Sequence, residues 1–366
     1  MSFQIKSATR KAALAGLIGA ALVSPVLARD YLLTGAHTGK IYLFDAATRK
    51  VAGEAQVSGG PIFAVLASPD GHKAYALTDR VSGVHGVDLD TGREFFSASL
   101  SSGDIIGKGL CALALSPDGK ELYTVAFRSQ IKGAEVEVLD PEVQVFDTSA
   151  GLNAKPLRTF PVARQTIQLE FSPDGSKLYA IGATISTLDP KSGKVLATLP
   201  VQKLERPNMS PPDMLDFWSQ YNRTNIFVSP VFSTRTDVPP TDPEAAKTGM
   251  LRFDLVTGEM RVDEFENTSA VLFSAVVNPV NHDEIFSVYT QLSKIDIGGK
   301  KLVKRIDLDH TYYAVNISSD GKEVYVGGAM GDIAVYDSTS LTKIGGMPIP
   351  DGSDMSVSWM QVIQRD

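Results

Sequence analysis

Residues 310–337 read HTYYAVNISSDGKEVYVGGAMGDIAVYD. An apolar run from Tyr312 to Ile317 meets a polar turn, Ser318-Ser319-Asp320-Gly321. A second run, Val324 to Gly328, meets a Gly-Asp turn, and a third ends at Asp337. Short runs rich in β-branched and aromatic residues, broken by Asp-Gly, predict antiparallel strands joined by hairpins.

Outward from this block, its two punctuation marks recur. Ser-Pro-Asp-Gly stands at Ser68–Gly71, Ser116–Gly119 and Ser172–Gly175, with a degenerate Asn278-Pro279 form later. Proline fixes its own φ, aspartate bonds back to the chain and glycine accepts positive φ, so the tetrapeptide is a hairpin turn with a mechanism. The second mark is an aspartate that closes a strand, at Asp45, Asp88, Asp147, Asp189, Asp254, Asp296 and Asp337. Four of the six steps between these positions are 41–43 residues. That period is one four-stranded propeller blade. The fold class predicted is all-β: a seven-bladed β-propeller of four-stranded antiparallel blades.

The two long steps are insertions, near 128–142 (with the acidic stretch AEVEVLDPE) and near 231–248 (STRTDVPPTDPEAAKT). Both are expected as long surface loops, where binding residues concentrate. The first unit lacks an innermost strand, and a spare strand, Ser356 to Ile363, follows the last unit. The C-terminal strand is therefore expected to join the N-terminal blade and close the ring, leaving short, protected edges.

Lys6, Arg10 and Lys11 precede an apolar run from Ala12 to Leu27 with small residues near Ala28. This is the layout of a cleaved secretory signal over 1–28, with a single propeller domain over 29–366. Removing the segment, which holds three basic residues and no acid, takes the formal charge from −7 to −10. The run is short for a membrane span, so export to the periplasm as a mature protein without a membrane anchor is expected. No Lys/Arg cluster points to a nucleic-acid partner.

One cysteine, Cys111, excludes an intrachain disulfide and covalent c-type haem attachment; in GLCALALSPDG it reads as a buried thiol. The five histidines show no metal-ligand spacing, and no nucleophile elbow or phosphate loop is present, so no catalytic, cofactor-binding or metal residues are assigned. The seven closing aspartates occur once per unit and are expected to accept turn N–H groups. The Gly-Gly pairs at 59 and 327 are expected at turns. Trp359 is expected in core packing; Trp218, beside Phe217 and Tyr221, offers either packing or an aromatic surface. His310, entering the best-formed unit beside Tyr312 and Tyr313, is expected to bond a neighbouring loop.

The segments RDYLLTG (29–35), PDMLDFW (212–218), VFSTRTDVPPTDPEAAKTGMLRFDLVTGEM (231–260) and the 310–337 block resemble the β subunit of quinohemoprotein amine dehydrogenase. The second insertion belongs to that likeness and is foreign to generic propellers. The resemblance implies a periplasmic heterotrimer that oxidatively deaminates primary amines to aldehydes. Its α subunit would carry two c-type haems, its small γ subunit a cysteine tryptophylquinone, and its β propeller no cofactor. This chain would then scaffold the γ subunit and wall off a portion of the substrate cavity. The partner-facing or cavity-facing candidates are Trp218, Phe232, Arg235, Tyr312 and Tyr313. Two alternatives stand beside it: a methylamine dehydrogenase heavy-chain-like subunit, and a self-sufficient lactonase-like propeller hydrolase with a metal at the ring's centre.

Overall fold

The computed structural model describes residues 29–214, 224–355 and 357–365. The expected signal segment and Trp218 lie outside them. The chain forms seven antiparallel sheets, each built on a four-stranded path, arranged as the blades of a ring. Helix among the described residues amounts to two three-residue 3-10 turns, Val201–Lys203 and Pro350–Gly352.

In blade 7 the strands Tyr312–Ile317, Glu323–Gly328, Asp332–Asp337 and Lys343–Pro348 run from the innermost to the outermost position. In blade 1 the strands Arg29–Gly35, Lys40–Asp45 and Lys50–Gln56 take the three outer places, and Met360–Arg365 supplies the innermost one. The ring is thus closed as the sequence predicts, with Leu32 opposite Val362. The closing strand itself starts later than expected, because the backbone before it turns to serve blade 1. Thr34 donates its hydroxyl to the Trp359 carbonyl at 2.8 Å, and the Gly35 N–H donates to Ser358 Oγ at 3.1 Å.

Alternating strand faces put the core between blades rather than inside one. Leu33, Ile41 and Leu43 of blade 1 meet Val65, Ala74 and Ala76 of blade 2 in one cluster, and Val276 and Phe286 of blade 6 meet Val315 and Val326 of blade 7 in another. All ten of these side chains are buried. Each larger one contributes about 1.5–3 kcal/mol of burial. Trp359 is fully buried in the cluster that holds Leu66 and Tyr75 of blade 2 and Leu113 of blade 3. Cys111 is buried in the same cluster.

The repeated turns work as their residues require. Ser116, Ser172 and Ser318 donate hydroxyls to Asp118, Asp174 and Asp320 at 2.7, 2.6 and 2.7 Å. The glycine that follows takes a φ of 70°, 70° and 72° in the three turns. Each closing aspartate accepts N–H groups from its own turn, as Asp189 does from Ser192 at 2.7 Å and Asp337 from Ser340 at 2.7 Å. In an antiparallel blade these two turn types fall at the same end of the strands. One face of the ring, the aspartate face, carries them, and the opposite face carries the second-to-third turns and the blade-to-blade connections.

Both insertions occupy second-to-third connections and so rise on the opposite face. Neither is the long loop expected. In blade 3 the second strand runs on as Glu121–Lys132 and folds back through a turn at Gly133 (φ 62°) into Glu135–Val138. Ile105–Lys108 pairs on its other side, making a three-stranded flap. The sequence VEV hid a strand inside an acidic stretch. In blade 5, Ile226–Thr234 and Ala246–Asp254 pair along their full nine-residue lengths, leaving only 235–245 as loop.

Candidate functional site

Because the aspartate face is occupied by repeating turns, the departures from the repeat are found on the insertion face. Three of them bring charged side chains together.

The first lies in blade 7. His310 belongs to the connection entering the blade, Tyr312 begins its innermost strand and Asp332 begins its third. Asp332 Oδ1 lies 2.8 Å from His310 Nε2, and Asp332 Oδ2 accepts the Tyr312 hydroxyl at 2.9 Å. The His310 and Tyr312 rings sit 4.1 Å apart. Burial, and then the bond to Asp332, push the Tyr312 hydroxyl far above its ordinary range, so it stays a proton donor. His310 and Asp332 remain about a quarter and a third exposed, at 26% and 33%. The expectation that His310 bonds a neighbouring loop is met by this turn. Asp332 was not singled out in the sequence; its signal was the Gly-Asp of the second turn.

Tyr312 and Tyr313 are placed differently from surface residues: their exposures are 0% and 7%. Tyr312 packs between blades 6 and 7 and Tyr313 between blades 7 and 1. Ser274 donates its hydroxyl to the Tyr313 carbonyl at 2.6 Å, tying blade 6 to blade 7. Neither tyrosine offers its ring face to solvent; beside Tyr312 it is the His310–Asp332 pair that is exposed.

The second is the blade 5 excursion. Arg235 donates to both carboxylate oxygens of Asp237, at 3.0 and 2.8 Å, and to Glu244 at 3.2 Å. Its N–H reaches the Ala245 carbonyl at 2.8 Å. The guanidinium therefore fastens its own loop. Phe232, half-buried, stands in the strand opposite Asp213 and Thr248. Beneath, Arg206 donates to Ser210 O at 2.9 Å and Ser233 Oγ at 2.7 Å and pairs with Glu264.

The third was missed from sequence. His85, buried in the third strand of blade 2, stands between Asp79 and Glu94, with Nε2 and Nδ1 each 2.9 Å from a carboxylate oxygen. Ser58, from the connection out of blade 1, donates its N–H to Glu94 at 2.9 Å. Burial pushes the Glu94 carboxyl up, but the bonds from His85 and Ser58 outweigh it and hold the group below its ordinary value. Asp79, Arg80 and Val81 all take left-handed φ, at 54°, 53° and 65°, which costs roughly 1–2 kcal/mol per residue. Gly59 is needed for close approach rather than for a turn conformation: a Cβ there would collide with Thr78 Oγ1 and lie 2.8 Å from His85 Nε2. At Gly327 a Cβ would likewise collide with Met355 Sδ. The available signal was positional, since three residues before the closing aspartate the other blades carry Tyr42, Gln144, Ser186, Leu251, Ser293 and Ala334.

On the aspartate face the innermost strands of blades 1 to 4 line an open cavity of about 440 Å³, with Leu66, Ala114, Glu170, Phe171 and Gln361 among its walls. Gln361 Oε1 accepts the Ala67 N–H at 2.8 Å, a latch from blade 1 to blade 2. Asn316 makes the equivalent latch from blade 7 to blade 1, donating to the Met360 carbonyl at 2.9 Å. No group of three or more His, Cys, Asp or Glu side chains among the described residues, the Asp79–His85–Glu94 cluster included, is arranged to hold a metal ion, and no described helix is long and apolar enough to cross a membrane.

These features define a class: a seven-bladed propeller whose distinctive side chains are gathered on the face opposite its repeat turns. No family model matches the chain, and no curated protein matches it. Among solved structures it is similar to a chain of hydrazine synthase from Kuenenia stuttgartiensis, with TM-score 0.59 and 17% identity over 83% of this chain and 90% of that one. It is also similar to apo AztD from Citrobacter koseri, with TM-score 0.53 and 12% identity over 93% and 99%. At these identities the likeness shows the fold.

Proposed function

We propose that this chain is the non-catalytic propeller subunit of a periplasmic amine dehydrogenase of the quinohemoprotein type. The observation that supports the reading is one of placement. The 231–248 excursion and the 310–337 block carry the sequence resemblance beyond what a generic propeller shares, and both present their departures on the same face of the ring. In such an assembly a cysteine tryptophylquinone on the γ subunit oxidises the primary amine, and two c-type haems on the α subunit take the electrons. The residues of this chain position and enclose. Asp332 holds the His310 ring, the Tyr312 hydroxyl anchors Asp332, and the Arg235 clamp keeps the excursion in one shape for a partner to meet.

Affinity purification of the tagged chain from its host, followed by absorption spectra and an amine oxidation assay, tests the proposal. The complex is expected to contain a dihaem protein and a small quinone protein and to turn over primary amines. The isolated chain is expected to show no Soret band, quinone absorbance or turnover. Amine or lactone turnover by the isolated chain, or its recovery without haem and quinone proteins, overturns the reading.

A further inference from the structure

The flap of blade 3 is an amphipathic sheet with one open edge. Its register places Ile106 opposite Ser129, Ser129 opposite Val138, and Ile131 opposite Val136. Opposed residues share a face, so Ile106, Ile131, Val136 and Val138 stand together, at 37%, 45%, 64% and 67% exposure. Glu135 and Glu137 point to the other side of the edge strand, where Lys132 of the central strand pairs with Glu137 and both partners remain about half exposed.

The hydrogen-bond phase fixes what that edge strand offers. The Leu139 N–H donates to the Arg128 carbonyl at 3.0 Å, so Leu139, Glu137 and Glu135 turn their main-chain groups inward to the central strand. On the other side, the Ile131 N–H donates to the Asp104 carbonyl at 2.9 Å, which confirms the phase. Val136 and Val138 therefore direct their N–H and C=O groups outward, and no strand pairs with them among the described residues. The edge is short and carries two glutamates, which guard it against indiscriminate pairing, while two exposed valines stand on its other face.

We propose that the edge Glu135–Val138 receives an extended segment of a partner protein by strand addition, and that this segment alternates apolar with basic residues. Main-chain bonds to Val136 and Val138 would give the affinity, apolar side chains would cover the valines, and Lys or Arg would stand opposite the glutamates. The charge pattern also argues against a second copy of this chain. Antiparallel pairing of two such edges about Val136 or about Glu137 sets glutamate opposite glutamate, and the chain as a whole is acidic, at −7. The inference rests on the geometry of the flap and does not require the amine dehydrogenase reading.

Fluorescence anisotropy with a labelled hexapeptide of alternating valine and lysine, set against a valine–glutamate hexapeptide, tests it on the mature chain. The lysine peptide is expected to bind and to slow amide exchange at Val136 and Val138. Val136→Pro removes only an outward N–H, which an edge strand tolerates, and is expected to weaken binding about tenfold. Glu137→Lys is expected to shift preference toward the glutamate peptide. Failure of the lysine peptide to bind, equal binding of both peptides, or unchanged binding by Val136→Pro overturns the proposal. So does a dimer of the chain alone that Val136→Pro dissolves.

Discussion

Ring closure is packed in place by one side chain, Trp359, which immediately precedes the closing strand. Trp359 is fully buried, while its carbonyl is held by Thr34 whatever the side chain is. Trp359→Ala therefore keeps the main-chain latch and removes the packing of the side chain. Emptying a site of this size costs about 3–5 kcal/mol, because the walls from blades 2 and 3 collapse incompletely. Unfolding entropy of about 2.1 cal/mol/K per residue, over the roughly 340 residues from Arg29 onward, gives ~0.7 kcal/mol/K. The melting temperature should accordingly fall by about 4–7 °C. Scanning calorimetry reads this directly. Val357→Ala, two residues away and 41% exposed, is the matched control and should stay within about 0.5 kcal/mol of the parent. If the two variants melt together within about 1 °C, Trp359 is not what seals the ring, and the closure argument fails.

Gln168 is fully buried on the innermost strand of blade 4, and neither its amide oxygen nor its nitrogen reaches a partner among the described residues; Gln168→Met should raise stability in urea by about 1–3 kcal/mol. Arg305 and Glu266, 12% and 11% exposed, join the outermost strands of blades 6 and 5, so Glu266→Ala should cost about 3–5 kcal/mol in the same assay. The turn aspartates Asp88, Asp147, Asp189 and Asp337 are held below their ordinary value of 3.8 by their own turn hydrogen bonds, and Asp174 is held at about 2. Protons then bind the unfolded chain first, so stability should be intact above that ordinary value and decline as pH falls toward 2, as circular dichroism at stepped pH would show. Burial raises the Tyr75 hydroxyl from 10.0 to about 12, so its contribution should be whole below pH 10 and fade above it, with phenolate absorbance rising only as the fold is lost.

The repeat was legible because its chemistry is local. Ser172, Asp174 and Gly175 determine their hairpin from within four residues, and Asp189 accepts N–H groups two and three residues on. Ring closure was legible because a missing strand at one end and a spare one at the other are counts. The insertions were misread for the opposite reason. Glu135–Val138 is a strand only because the long second strand of blade 3 is there to pair with it, and its alternating glutamates resemble a solvated tract. His85 stayed hidden because its partners come from three places: Asp79 from one turn, Glu94 from the outermost strand and Ser58 from the preceding blade connection. Tyr312 and Tyr313 were visible as departures, but only packing between neighbouring blades shows that their rings point inward.

The two faces of the ring differ in how their acids are satisfied, and this bears on where evolution is free to place function. On the aspartate face each closing carboxylate is held by backbone N–H groups of its own turn, so replacing it unmakes a turn and loosens a blade. On the insertion face the corresponding carboxylates are held by side chains: Asp332 by His310, Asp79 by His85, Asp237 by Arg235, Asp351 by Lys40. Those pairs can be exchanged without altering a strand. A propeller built this way can keep seven nearly uniform blades while one face is rewritten residue by residue to suit a partner. The blade 3 flap, the blade 5 excursion and the His310–Asp332 pair all stand on that face.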